Sequence, residues 1–111
     1  MAITYKNLQQ EPLSASSTLV YTSPTVNDAV ITKASAFNYG SSNVTINVNI
    51  VQNGDTIGDT NKRLSEIVPA GKSLLLADLI GAGMNTGDTL YAVADTAASV
   101  NFYVRVKEVT T

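Results

Sequence analysis

The chain has 111 residues, 44% hydrophobic and only 14% charged, with a net charge of −2 and neither cysteine nor histidine. That length supports one domain around one core, and the two missing residue types exclude disulfides, thiolate nucleophiles, zinc–thiolate sites and the commonest general base and metal ligand. Acids and bases are interspersed, no basic cluster exceeds Lys62-Arg63, and the longest apolar run, residues 74–77, is far too short to cross a bilayer, so neither nucleic acid nor membrane is an expected partner.

Residues 1–17 read as an extended N-terminal arm and residues 18–111 as a single domain. The arm's large apolar groups are Ile3, Tyr5, Leu8 and Leu13, Pro12 interrupts regular pairing, and Ser14-Ala15-Ser16-Ser17 forms a joint. Tyr5, Leu8 and Leu13 are then candidate anchors on a partner. The first ten residues lack the apolar region of a signal peptide, so synthesis in the cytoplasm is expected.

Residues 18–22 form a short predicted strand closed by Ser23-Pro24, residues 25–28 a turn, and residues 29–38 a long strand with no cleanly apolar face. Tyr39-Gly40-Ser41-Ser42 is short and contains glycine, which argues a hairpin into the next strand.

That next strand, residues 43–52, carries the clearest pattern in the chain. Val44, Ile46, Val48 and Ile50 alternate with Thr45, Asn47 and Asn49, the period of a strand with one face in a core and one in water. The apolar set is β-branched and stiff, and suits a pleated surface.

Asn53-Gly54-Asp55 ends the strand with turn chemistry. Residues 62–68 are a further strand, with Leu64 and Ile67 partly buried, followed by the turn Pro69-Ala70-Gly71 and a short strand at 73–77. Residues 78–85 fit a helical turn or a loop. Thr86-Gly87-Asp88 leads into a strand at 89–94, and residues 95–99 form a small-residue turn. The second clear alternator is 100–109: Val100, Phe102, Val104 and Val106 share one face, and Asn101, Tyr103, Arg105 and Lys107 the other. The two alternators can supply the two inner faces of a sandwich. The fold expected is all-β, an antiparallel β-sandwich of seven or eight short strands, with a jelly roll among its arrangements.

Motifs that carry chemistry are few. Gly81, Gly83 and Gly87 resemble a dinucleotide fingerprint, but the third glycine falls one residue late and a strand follows in place of a helix. Asn53, Asp55, Asp59 and Asn61 are oxygen donors in one loop, yet Ile57 stands where a calcium loop needs a ligand. No serine is paired with a base. The expectation is a non-enzyme with no catalytic residue, no metal and no cofactor. The exposed row Asn101, Tyr103, Arg105 and Lys107 joins an aromatic to an arginine, a common interface composition, so Tyr103 and Arg105 are candidate partner-binding residues.

The order of these elements resembles that of small β-sandwich virion proteins of tailed bacteriophages, the capsid decoration, cement or "staple" type. The resemblance rests on Thr18-Leu19-Val20-Tyr21-Thr22 before Ser23-Pro24, the alternating Val/Ile strand, Pro69-Ala70-Gly71-Lys72-Ser73-Leu74, Thr86-Gly87-Asp88-Thr89-Leu90 and the Val-rich strand at 100–109. It implies a passive role on the outer capsid surface of a virion. Such a protein binds the major capsid protein, bridges neighbouring subunits and stabilises the shell by mass action. Self-association as a homodimer, with a trimer as the alternative, fits bridging across a symmetry axis. A receptor- or glycan-binding module of a phage fibre or tail is the competing function.

Overall fold

The computed structural model describes residues 2–24, 27–95 and 99–110. Its strands are β1 (Ala2–Gln10), β2 (Thr18–Thr22), β3 (Asn27–Asn38), β4 (Val44–Val51), β5 (Lys62–Val68), β6 (Ser73–Leu75), β7 (Gly83–Met84), β8 (Thr89–Ala94) and β9 (Val100–Thr110). Single 3₁₀ turns occupy Asp59–Asn61 and Ala77–Leu79. The front sheet has the order β1-β9-β3-β6, with β7 also on β3; the back sheet has the order β2-β8-β4-β5. All pairings are antiparallel. Apart from the β4–β5 and β6–β7 steps, each connection crosses between sheets, which makes the sandwich a jelly roll.

The two alternating sequences face each other as expected. Val44, Ile46, Val48 and Ile50 of β4 and Val100, Phe102, Val104 and Val106 of β9 point inward from opposite sheets. Leu90, Ala92 and Ala94 of β8 and Ala29, Ile31, Ala34 and Ala36 of β3 complete the same core. Each fully buried large side chain contributes roughly 1.5–3 kcal/mol. Small alanines opposite large aliphatics let the two layers approach and interdigitate.

Several sequence expectations change. Residues 2–10 are not an arm but the edge strand β1, paired in register with β9 from Ala2↔Thr110 to Gln10↔Phe102. The inward-facing side chains of β1 are mostly polar, so no apolar alternation marked it. Leu13 is not a surface anchor. It is 0% exposed in the core, and its N–H donates to the Val100 carbonyl at 2.7 Å. Leu8 also faces inward, partly buried against the same cluster.

The 39–42 connection is not a hairpin, because β3 and β4 lie in different sheets. It is a corner tied by Asn38, which is 0% exposed. The Asn38 amide donates to the carbonyls of Ser42 (2.7 Å) and Val68 (3.0 Å) and accepts from the Gly40 N–H (2.9 Å). Of the predicted turn at 25–28, Thr25 and Val26 lie outside the described residues, while Asn27 and Asp28 already belong to β3. Residues 96–98 of the predicted turn at 95–99 also lie outside them. In β5 Leu64 and Val68 are buried but Ile67 is 58% exposed. The ambiguous 78–85 stretch divides into the 3₁₀ turn and β7.

Candidate functional site

The outer face of the front sheet is built by three strands. From β1 come Ile3, Tyr5, Asn7 and Gln9, which lie opposite Val109, Lys107, Arg105 and Tyr103 of β9. From β3 come Val30, Lys33, Ser35 and Phe37, opposite Lys107, Arg105, Tyr103 and Asn101. A bulge between Ile31 and Lys33 sets this arrangement. The extra residue, Thr32, is held by its hydroxyl donating to the Arg105 carbonyl at 3.2 Å. The inward set therefore runs Ala29, Ile31, then Ala34, Ala36, with the parity changing between them.

Three of the five candidate partner-binding residues meet here. The Arg105 guanidinium carbon sits 4.6 Å from the centroid of the Tyr5 ring, a cation–π contact worth roughly 0.5–1 kcal/mol where water reaches it. The Tyr103 hydroxyl donates to Asn7 Oδ1 at 3.0 Å. A shallow groove of about 340 Å³ is lined by Tyr5, Thr32, Lys33 and Arg105. Leu8 and Leu13, the other two, face the core.

The patch breaks a local rule. Lys33 lies directly opposite Arg105, with Lys107 one pair further along, and like charges facing each other across a ladder are unfavourable. Among the described residues the ion pairs are Lys6–Glu108 at 3.4 Å and Lys62–Asp59 at 3.3 Å, so none of these three cations is in an ion pair, although the exposed Asp28 lies one pair beyond Lys107 on the same face. Arg105 Nε is also shielded from solvent without a hydrogen-bond partner, a state that costs about 1–3 kcal/mol. Phe37 and Leu75, 43% and 65% exposed, extend the face with apolar surface. Sequence reading missed Lys33 and Phe37, since the bulge hides which face of β3 they share, and Leu75, which reaches this face through the pairing of β6 with β3. The back sheet's outer face differs: Leu19, Thr45, Asn47, Ser65, Ile67, Tyr91 and Val93 are uncharged, and the cation opposite Asn49, Lys62, is paired with Asp59.

A second polar cluster lies between the sheets. Glu108 is 4% exposed; its Oε2 accepts from the Tyr21 hydroxyl and pairs with Lys6 Nζ. Burial, reinforced by the hydrogen bond to Glu108 and its negative charge, pushes the Tyr21 hydroxyl far above the ordinary tyrosine range.

The two loops whose sequences resembled sites carry internal hydrogen bonds. Asn61 Oδ1 accepts from Asn49 Nδ2 and the Gly58 N–H, and its Nδ2 donates to the Thr56 carbonyl. The buried Asp88 carboxylate accepts from the N–H groups of Asn53 and Asn85, which shapes the glycine-rich stretch. Among the described residues no group of three or more His, Cys, Asp or Glu is placed to hold a metal ion, and no helix is long and apolar enough to cross a membrane.

No family model matches this chain, and no curated protein matches it. It is similar in fold to a solved chain from the disulfide-linked pili that form Bacillus endospore appendages, with a TM-score of 0.52 and 16% identity over 98% of this chain and 89% of that one. At that identity the likeness concerns the jelly roll alone.

Proposed function

We propose that this protein is a non-enzymatic structural protein of a phage virion, which docks on the outside of the assembled capsid and bridges neighbouring capsid subunits. The observation that carries this reading is the front-sheet patch of Lys33, Arg105 and Lys107 around Tyr5 and Tyr103, unneutralised within a chain of net charge −2. A flat face of fixed cations and aromatic rings fits a rigid acidic protein surface. Carboxylates there would relieve the Lys33–Arg105 repulsion. Many copies on one lattice add avidity to a modest single contact. The order of strands and turns, which resembles that of capsid decoration proteins, supplies the kind of partner.

The test is cosedimentation with shells stripped of their outer proteins. Wild-type protein should pellet with shells at low salt and be released as salt screens the patch. Arg105→Ala and Lys33→Ala, each with an unchanged melting temperature, should bind on the order of tenfold more weakly. Retention on host cells with no retention on shells would replace this reading with the receptor- or glycan-binding one.

The fold likeness to a pilus subunit favours a second reading, a subunit of a self-assembling appendage. The disulfide linkage of those pili does not carry over, because this chain has no cysteine. Filaments formed by the purified protein alone would favour that reading.

A further inference from the structure

Exposed sheet edges invite pairing with other chains, and proteins blunt them by recognisable means. Three of the four edges here are blunted. The β6/β7 edge is split into pieces of three and two residues. The β2 edge is five residues long and broken by a register shift between Leu19 and Tyr21. The β5 edge carries Lys62, Arg63 and Glu66 among its seven residues. The fourth edge, β1, has nine residues, no proline and an unbroken register. Its one charge, Lys6, is tied inward to Glu108.

From this contrast we infer that the free edge of β1 pairs with β1 of a second copy, antiparallel across a two-fold axis, and joins two front sheets into one continuous sheet. The sequence of β1 disfavours one register, and we assign the axis to Tyr5 for the aromatic pair that this forms. A two-fold axis at Lys6 sets Lys6 against Lys6 of the other copy, which is unfavourable. An axis at Tyr5 places Tyr5 against Tyr5, Ile3 against Asn7 and Lys6 against Thr4. No like charges then face each other, and an aromatic pair sits at the centre. The interface is isologous and closes at two copies. The two cationic patches become neighbours on one sheet, a double-width docking surface.

The absence of native cysteine makes the test direct. Sedimentation of wild-type protein at micromolar concentration should give the mass of two chains. Under mild oxidation Tyr5→Cys should cross-link to a covalent dimer, because only the residue on the axis meets its own copy; Asn7→Cys and Gln9→Cys should not. Amide hydrogen exchange along 2–10 should slow as wild-type concentration rises, a readout that needs no variant. A monomer mass, or exchange independent of concentration, overturns the proposal. Cross-linking through Asn7→Cys in place of Tyr5→Cys overturns the register. Shell cosedimentation separates this inference from the docking reading. A monomer that binds shells removes the two-fold pairing alone, and a dimer that ignores them removes the docking alone.

Discussion

Tyr21 is the residue through which alkaline pH reaches the core. Its hydroxyl is buried and donates to Glu108, so the folded state holds the neutral phenol well above the usual pKa of about 10. The unfolded chain loses that proton near pH 10, while the folded chain retains it. The contribution is therefore complete below about pH 10 and is lost progressively above it, as pH climbs towards the raised folded value. Denaturant unfolding followed from pH 8 to 11 should show this decline, and Tyr21→Phe should flatten it while lowering stability at neutral pH. Asn38 is a second sensitive position. Asn38→Leu keeps the volume but leaves two carbonyls and one N–H at the β3–β4 corner without their partner, a loss of about 2–4 kcal/mol readable in the denaturation midpoint. At this scale the sequence was partly legible. Tyr103 and Arg105 were visible because β9 alternates without a fault. Leu13 was not, because an isolated leucine beside Pro12 and a serine run gives no periodic sign that the chain dips into the core there.

Among the elements, β4 and β9 were readable because each sits inside its sheet, with neighbours on both sides and one face fully covered. Their patterns make a paired prediction. Ile46→Asp should abolish folding, since it places an unpaired charge at a 0% exposed position. Asn47→Asp, one residue along on the outer face, should leave the far-UV spectrum and melting temperature nearly unchanged. Equal damage from both would contradict the facing assigned to β4. β3 resisted reading for a definite reason: the Thr32 bulge switches the inward parity midway, so no single alternation spans it. β1 was misread for another. It is an edge strand whose inward positions are Ala2, Thr4, Lys6, Leu8 and Gln10, and of these only Leu8 packs on the core cluster. Backbone pairing to β9, not side-chain burial, holds it. Removing residues 1–10 should therefore lower the melting temperature without abolishing the sandwich, while exposing β9 as a new edge prone to association. Thermal unfolding with light scattering of the truncated chain checks both effects.

For the whole molecule, the fold class followed from period and turn spacing, whereas the pairing of distant strands did not, because alternation reports which face is buried and not which strand lies alongside. The proposed docking face emerged only when the sheet brought Tyr5, Lys33 and Arg105 together from three strands. Its action should be electrostatic: shell occupancy should fall steeply with ionic strength for the wild type and weakly for Arg105→Ala, measured by cosedimentation across a salt series. The place of β9 has a further consequence for synthesis. β9 is the last of these strands in the sequence, yet in the front sheet it lies between β1 and β3. While the nascent chain is still being extended, the back sheet can assemble, but β1 and β3 have no shared neighbour. Half of the core then stays open until β9 clears the ribosome exit tunnel. Closure of the front sheet is thereby postponed until β9 has been made, and a chain stalled before Val100 would present an unfilled groove to chaperones in place of a nearly finished sandwich.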